Sequence, residues 1–306
     1  MSTLLLLLFA YAANAQQHFT VMSYNCENAF DTLHDEGKED YDFLPDGNYH
    51  WTRRRMFQKL RNIGKVIMAV STQQPVDVVC LNEVENDSVI TWLTRNTALA
   101  QIGYRYVMTN SADPRGIDVA ILYSPYTFRL LEATPIRART SDPTRDVLHV
   151  CGIVADGDTI DIFAVHLPSK LNGKIAENNR RIIAETINHC IDSITNARPK
   201  AQICVLGDFN DGPKSNVVKK SFSNLTNLME DTVQGSYKYH GAWDCIDQIL
   251  VNGQLRKKVG KYGVYFNPLL TEEDTKFGGI KPFRTYIGRR YNGGFSDHLP
   301  VFFTIL

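Results

Sequence analysis

The chain has 306 residues and carries 33 basic and 33 acidic side chains. This balance excludes binding to nucleic acid or membranes through a large overall charge, so any electrostatic attraction must be local. Hydrophobic residues make up 43% of the chain, which is ordinary for a globular protein with a sizeable core.

The first fifteen residues have the pattern of a secretory signal peptide. An apolar run from Leu4 to Phe9 precedes the small-x-small site Ala13-Asn14-Ala15, and no apolar run is long enough to cross a membrane. The positive charge that usually opens such a peptide is missing, and a buried N-terminal strand is the alternative. We expect cleavage near Ala15 and export to the periplasm or the medium. Residues 16–306 then form one catalytic domain, expected to be a monomer.

Six cysteines are spaced unlike any small disulfide framework. Cys80 and Cys204 lie in apolar strand-like runs, and Cys190 lies on a helical stripe. Free buried thiols are therefore favoured over disulfides. There is also no CxxC motif or Cys/His cluster to indicate zinc.

The first half of the chain alternates predicted strands with helices. Alternating residues predict a strand from Phe19 to Asn25. A helical face follows, made of Met56, Leu60, Ile63, Ile67 and Val70. A second strand, Val76 to Leu81, runs into Asn82-Glu83, and Asn86 or Asp87 can cap the next helix. Two strands, Tyr104 to Met108 and Ile117 to Tyr123, are joined by a turn that contains Arg115.

The second half continues in the same way. Strands are predicted from Val147 to Ala155 and from Thr159 to Val165, the second ending at His166, and a helix follows with isoleucines on one face. The apolar run Ile203 to Leu206 breaks at Gly207 and places Asp208 and Asn210 on one face of the strand. The last two strands are Asp247 to Val251 and Pro300 to Ile305. The mixture of strands and helices predicts one α/β domain.

Six strand boundaries carry polar residues suited to phosphate chemistry: Asn25, Glu83, His166, Asp208 with Asn210, Asp247, and Asp297 with His298. Each is an ordinary turn former by itself, but strand ends in layered sheets gather at one rim. Glu83 and Asn25 suit the coordination shell of Mg²⁺, which prefers oxygen ligands. Asp247 can orient the imidazole of His298, while Asp208 and Asn210 can align a water molecule or bind a phosphate oxygen.

These strand ends also resemble, in order, the motifs of the endonuclease/exonuclease/phosphatase superfamily. The matching segments are Ser23-Tyr24-Asn25, Leu81-Asn82-Glu83, Val165-His166-Leu167, Leu206-Gly207-Asp208-Phe209-Asn210, Ile246-Asp247-Gln248-Ile249 and Ser296-Asp297-His298-Leu299-Pro300. The resemblance runs from about residue 19 to the C-terminus. It implies a four-layer α/β/β/α sandwich of two mixed sheets flanked by helices, and metal-dependent cleavage of phosphate esters.

The resemblance also implies a role for each matching residue. Glu83 resembles the metal-binding glutamate, with Asn25 beside it, Asp297 near the metal and Glu27 at the place of a second metal carboxylate. Asp208 resembles the residue that aligns or deprotonates the attacking water, and Asn210 the residue that holds the phosphate. His298, paired with Asp247, resembles the acid–base or phosphate-binding histidine. His166 matches a catalytic position that is His in the deoxyribonucleases and Tyr in the abasic-site enzymes, and Arg115 matches the phosphate-binding arginine of some deoxyribonucleases. The expected cofactor is Mg²⁺, with Mn²⁺ or Ca²⁺ as alternatives. Glu85 and Asp118 are expected to lie outside the site.

The segment before Asp297 bears on the substrate. Between Thr275 and Ser296 there is no acidic residue, but five basic residues alternate with Phe283, Tyr286 and Tyr291. Such a mixture is typical of a phosphate track with base stacking, with Arg284 and Arg289 as the expected contacts. The alternative is a solvated loop with a few core aromatics.

Three functions compete at this stage. An exported endonuclease that hydrolyses DNA or RNA is favoured by the basic segment. A phosphatase or sphingomyelinase-like phospholipase is the alternative, for which the apolar residues from Tyr262 to Leu270 could contact lipid. A non-catalytic binding module on the same scaffold is the third, and the complete set of site positions argues against it.

Overall fold

The computed structural model describes residues 18–70 and 74–306. The predicted signal peptide lies outside the described residues. The strands, in chain order, are β1 (Phe19–Ala29), β2 (Val78–Val84), β3 (Arg105–Met108), β4 (Asp118–Tyr123), β5 (Phe128–Ile136), β6 (Val147–Val154), β7 (Thr159–His166), β8 (Gln202–Asp208), β9 (Thr226–Asn227), β10 (Tyr237–Tyr239), β11 (Ala242–Asp244), β12 (Asp247–Val251), β13 (Val259–Val264), β14 (Thr271–Glu273), β15 (Ile280–Pro282), β16 (Tyr286–Ile287), β17 (Arg290–Tyr291) and β18 (Val301–Ile305).

The helices are α1 (Arg53–Val70), α2 (Asp87–Arg95), α3 (Gly173–Ala197), α4 (Asn216–Ser221) and α5 (Gly253–Arg256). Among the described residues, none of these helices combines the length and the apolar character needed to span a membrane.

Two six-stranded sheets form the centre of the molecule. The first has the order β13-β18-β1-β2-β4-β3 and the second the order β5-β6-β7-β8-β12-β9. Each sheet contains one parallel pair, β1 with β2 and β7 with β8, among antiparallel neighbours. The predicted fold class, two mixed sheets flanked by helices, is confirmed.

Apolar side chains from both sheets meet between them. Val21, Val78 and Ile121 of the first sheet belong to the same buried cluster as Ile162 and Leu206 of the second. Both faces of the central strands are covered, which explains why their sequences are nearly continuous apolar runs.

The helices cover the outer faces. The stripe of α1 predicted from helical spacing packs on the first sheet, with Leu60, Ile63 and Ile67 almost fully buried. Ile183 and Ile187 of α3 pack on the second sheet in the same way. These helices close the four-layer arrangement.

Strand β5 is absent from the sequence-based prediction. It lies at the edge of the second sheet, most of its side chains are at least partly exposed, and it contains Pro135. An exposed edge strand needs no apolar alternation and tolerates proline, so its sequence carries little strand signal.

All six cysteines have free thiols, and five of them are buried. Burial of the thiols therefore agrees with the expectation at five positions, and Cys190 is partly exposed.

The sheets bring their strand ends to one rim. The carboxyl ends of the parallel pairs β1–β2 and β7–β8 lie on the same side, where Asn82 Nδ2 donates to Val165 O at 2.9 Å and joins the two sheets. Asp208 pairs in register with His166 of β7 on one side and with Asp247 of β12 on the other. Topology alone therefore places three of the predicted site residues side by side.

Candidate active site

Asp208 lies at the centre of the site, and Gly207 makes its position possible. Gly207 has φ +142°, and a Cβ atom there would lie 1.9 Å from Val165 O on the neighbouring strand. Only glycine allows this approach of the two backbones. The carboxylate that follows is almost fully buried and accepts a hydrogen bond from Asn210 N at 2.7 Å.

Asn25 and Glu83 reach this carboxylate from the first sheet. Asn25 Nδ2 donates to Asp208 Oδ2 at 3.0 Å and lies 3.4 Å from Glu83 Oε1. Glu83 Oε2 accepts from Asn28 N at 2.9 Å. Two carboxylates from different sheets therefore share one amide donor.

Strained backbone accompanies these contacts. Glu27, Asn28, Glu83 and Asn210 all have positive φ, between 49° and 60°, although none is glycine. Such conformations cost of order 1–3 kcal/mol each and persist where the surrounding structure over-determines them. At this rim they turn the side chains of the strand ends toward one point.

His298 forms a hydrogen-bonded pair with Asp247. Nδ1 of the imidazole lies 2.7 Å from Asp247 Oδ2, and the same oxygen accepts from Ser236 Oγ at 2.6 Å. Nε2 therefore remains for the site, 3.9 Å from both Asp208 Oδ2 and Asp297 Oδ1. The Tyr237 ring packs against the imidazole with centroids 4.9 Å apart.

His166 completes the ring of polar groups from the β7 side. Its Nε2 lies 3.6 Å from Asp208 Oδ2 and 3.8 Å from Glu83 Oε1, and its Nδ1 has no hydrogen-bond partner among the described residues. The imidazole thus faces both carboxylates.

Burial and neighbouring charges separate the pKa values of these three groups. Burial raises the pKa of Asp208 to about 7, partly opposed by the nearby His298. Burial also disfavours charge on His298, but Asp247 outweighs it by its charge and hydrogen bond, so the pKa of this imidazole rises well above its usual value. Burial, followed by the charges of Arg145 and Arg115, lowers the pKa of His166 well below its usual value. Asp208, whose pKa lies near neutral pH, therefore has the protonated imidazole of His298 on one side and the neutral imidazole of His166 on the other.

Glu27 is engaged by protein groups rather than open to a cation. Its Oε2 accepts from Thr285 N at 2.6 Å and lies 3.8 Å from Lys59 Nζ, while Oε1 accepts from Arg284 Nε at 3.2 Å and contacts Tyr286 N at 3.5 Å. Both oxygens of the second predicted metal carboxylate are thus occupied. The contacts make Glu27 an anchor for the segment that precedes Asp297.

The three predicted substrate-binding arginines lie in different surroundings. Arg284 bridges Glu27 and Asp297, with Nη2 2.9 Å from Asp297 Oδ2, and is 38% exposed. Arg115 is half-exposed beside Asp113, with Nε 3.5 Å from Oδ1. Arg289 is exposed in the turn between β16 and β17, and no ion pair involves it among the described residues. Of the three arginines, only Arg284 therefore contacts other predicted site residues in the described part of the chain.

The aromatic residues of the basic segment belong largely to the core. Tyr286 is buried, its ring packs against Tyr49 and Tyr291, and Arg55 lies 4.5 Å over the Tyr291 ring. Phe283 packs on Phe295. These rings do not form the expected base-stacking track, because the segment needs apolar contacts with α1 and its neighbours to stay folded over the rim.

Several residues that contact the site were missed from the sequence. Tyr237 and Ser236 touch the His298–Asp247 pair, and Lys59 donates to Thr285 Oγ1 at 2.5 Å and to Phe295 O at 2.8 Å. Arg145 donates to the backbone of His166 and Leu167. None of them stands at a predicted strand boundary. Glu85 and Asp118 lie outside the site, as expected, although both are buried.

The donor set fits a divalent cation. Glu83 and Asp208 direct carboxylate oxygens at one amide nitrogen, and the one basic ring that faces both carboxylates, His166, is held in its neutral form. Oxygen donors of this kind suit Mg²⁺, Mn²⁺ or Ca²⁺. Asn25 presents its nitrogen here, and rotating the amide to offer Oδ1 would sacrifice the hydrogen bond that Glu27 N donates to that oxygen. Asp208, Asp247 and His298 also form a compact cluster of ligand atoms, but Nδ1 of His298 is already used by Asp247.

The structure is thus a two-sheet sandwich with paired acids and an Asp–His pair at one rim. Residues 20–306 match the sequence profile of the Endonuclease/Exonuclease/phosphatase family, and the chain belongs to this family. Its enzymes are generally phosphoesterases and nucleases that use divalent metals. No curated protein matches the sequence.

Solved structures share the fold at low sequence identity. A mannosyl-6-phosphatase from Bacteroides thetaiotaomicron is 16% identical, covers 94% of this chain and 100% of its own, and superposes with a TM-score of 0.63. The human nocturnin catalytic domain with bound sulfate is 18% identical over 94% of each chain, with a TM-score of 0.60. D. rerio TDP2 complexed with a single-strand DNA product is 15% identical over 95% of this chain and 100% of its own, with a TM-score of 0.61.

Proposed function

We propose that the protein is an exported, divalent-metal-dependent phosphodiesterase that hydrolyses nucleic acid. The observation that carries the proposal is the position of Asp208, whose Oδ2 lies within 3.9 Å of Asn25 Nδ2, His166 Nε2 and His298 Nε2. One buried carboxylate thus lies beside groups that can hold a metal, a water molecule and a phosphoryl oxygen.

Asp208 acts on the attacking water. Its Oδ1 is fixed by Asn210 N, and its pKa of about 7 lets it accept a proton near neutral pH. Asn210 uses one amide hydrogen on Leu167 O at 2.9 Å, which leaves the other for a phosphate oxygen. The imidazole of His166 is neutral, so it can accept a hydrogen bond from the same water or donate one to it.

His298 acts on the phosphoryl group. Asp247 keeps the imidazole protonated and holds Nδ1, so the Nε2–H can stabilise the charge that develops on a phosphoryl oxygen. Glu83 and Asp297 would hold the cation, and Asn25 would join them by turning its amide oxygen inward at the cost of the hydrogen bond from Glu27 N. When bound, the cation would polarise the phosphoryl oxygens and offset their charge.

A phosphatase or lipid-hydrolysing phospholipase is the second candidate. The structure leaves Phe266 and Leu269 exposed in the loop after β13, Leu269 by 74%, as a lipid-facing loop would require. The similar fold of a mannosyl-6-phosphatase supports the small-phosphate form of this alternative.

A substrate panel separates these candidates. The mature protein is incubated with plasmid DNA, RNA, sphingomyelin, sugar phosphates and inositol phosphates, each with Mg²⁺, Mn²⁺ or Ca²⁺ and with a chelator. Metal-dependent cleavage of DNA or RNA supports the proposal, and activity confined to the lipid or the small phosphates contradicts it. N-terminal sequencing of protein recovered outside the cytoplasm tests export and cleavage near Ala15.

A further inference from the structure

Three aromatic rings form an exposed stack beside the site. Tyr239 and His240 stack with centroids 4.1 Å apart and an interplanar angle of 11°, and Phe277 stacks on His240 with centroids 5.6 Å apart. Tyr239 is 62% exposed and Phe277 46% exposed. Large rings of this kind are normally buried, so their exposure as an ordered stack calls for a binding partner.

The stack is built by a hairpin docked on a loop. Strands β10 and β11 are joined by His240 and Gly241, both with positive φ, as in a two-residue turn of type I′. Lys238 holds the hairpin against the loop of residues 274–279. Its Nζ lies 2.9 Å from Asp274 Oδ2 and donates to Gly278 O at 2.8 Å. Asp274 Oδ1 in turn accepts from the backbone of Lys276 and Phe277. The rings are therefore held in place without a ligand.

The hairpin connects the stack to His298. Tyr237 pairs with His298 through an isolated β-bridge, and its ring packs against the imidazole. Tyr239 is two residues further along β10, on the same face as Tyr237 and about 7 Å away along the strand. A chain-like substrate cleaved next to His298 would thus continue toward Tyr239.

We propose that Tyr239, His240 and Phe277 bind an unpaired base of single-stranded nucleic acid next to the cleaved phosphate, with Lys276 at a backbone phosphate. Lys276 Nζ lies 4.9 Å over the Phe277 ring and forms no ion pair within the described part of the chain. Flat rings beside a free cation suit bases and phosphates, whereas a lipid surface would call for aliphatic side chains at this place. The inference rests on the proposed nuclease function and refines its substrate.

The test compares two substrates in four variants. Cleavage of a single-stranded oligonucleotide and of bis(p-nitrophenyl) phosphate is measured for the wild type, Tyr239→Ala, Phe277→Ala and Tyr239→Trp. Tyr126→Ala is the matched control, because Tyr126 is 83% exposed between β4 and β5. We expect the two alanine variants to raise KM for the oligonucleotide about 10-fold and to leave hydrolysis of the small diester unchanged. Tyr239→Trp and Tyr126→Ala should behave as the wild type.

Each outcome has a separate meaning. Replacing the bases of the oligonucleotide by abasic residues should remove the difference between the wild type and Tyr239→Ala. Equal KM values for all variants on the normal oligonucleotide would overturn the stacking site and leave the nuclease proposal intact. A wild type that hydrolyses the small diester but cleaves no nucleic acid would overturn the nuclease proposal itself. The same variants are also assayed with sphingomyelin vesicles and sugar phosphates, and losses confined to these substrates would assign the stack to another ligand and overturn the inference.

Discussion

His298 Nδ1 lies 2.7 Å from Asp247 Oδ2, and both side chains are buried. The contact fixes which imidazole nitrogen faces Asp208 and favours the protonated form of the ring. A second buried pair of the same kind, His149 with Asp161 at 3.0 Å, lies on β6 and β7 and packs on Phe163 instead of facing the site. Substitution of His149 therefore serves as a control for substitution of His298.

His298→Ala should lower hydrolysis of phosphodiesters at least about 100-fold, since the imidazolium that stabilises the charge on the phosphoryl oxygen is lost. Asp247→Asn should also lower kcat, because the amide no longer favours the imidazolium. His149→Ala should change kcat much less. The measurement is steady-state hydrolysis of a small diester by folded protein. Full activity in His298→Ala would refute the mechanism.

Glu83→Gln should abolish stabilisation by divalent cations. Binding to the folded state alone raises stability by about 2.7 kcal/mol at 100 times Kd, which corresponds to a Tm shift of several degrees. We expect Mg²⁺ to raise the Tm of the wild type and of Glu132→Gln, an exposed residue of β5, but not that of Glu83→Gln. A chelator should abolish both the shift and the activity. An equal shift in Glu83→Gln would place the cation elsewhere.

Lys59→Met should destabilise the fold by about 3 to 5 kcal/mol, because it leaves Glu27 buried without one of its cations. Lys59 is 1% exposed and links α1 to the segment before Asp297 through Glu27, Thr285 and Phe295. Urea unfolding measures the loss. Lys65→Met, exposed on the same helix, should change stability by less than about 0.5 kcal/mol. Adding Glu27→Gln to Lys59→Met should cost less than the sum of the two single changes, and strict additivity would argue against a coupled pair.

Gly207→Ala should destabilise the protein by about 3 kcal/mol or more, because the new Cβ collides with Val165 O and φ is +142°. Denaturant unfolding of this variant is compared with that of Gly253→Ala. No atom lies within 4 Å of a Cβ at Gly253, the first residue of α5, so this control should be neutral or slightly stabilised. Equal stability of the two variants would contradict the close approach of β7 and β8.

Glu85→Gln should change how stability depends on pH. Burial, with the charges of nearby aspartates as lesser contributors, raises the pKa of Glu85 to about 9. The unfolded chain ionises this group near pH 4.5, so the folded state holds the extra proton between about pH 4.5 and 9 and loses stability as the pH rises. The glutamine side chain does not titrate, so the variant lacks this pH dependence of stability. The variant should therefore gain stability relative to the wild type as pH increases from 5 to 8, by up to about 1.4 kcal/mol per pH unit. Parallel pH profiles from chemical unfolding would rule this out.

The central strands and the polar residues at their ends could be predicted because both signals are local. Apolar runs that stop at Asn25, Glu83, His166 and Asp208 mark buried strands wherever they occur. The order of these motifs was sufficient to indicate the fold. Strand β5 gave no such signal, since an edge strand exposed to water has no apolar pattern to read.

What each residue contacts was decided by tertiary structure. Glu27 has the side chain of a metal ligand and lies two residues after Asn25, as a second metal carboxylate would. In the structure it pairs instead with Arg284, which lies 257 positions away in the chain. Tyr286 and Tyr291 have the sequence context of a stacking surface, yet Tyr286 is buried and Tyr291 packs against the core partly buried, whereas Tyr239 and Phe277 remain exposed. Amino-acid type determines which chemistry a side chain can perform. Its partners depend on packing between segments far apart in the chain, and local patterns do not encode that packing.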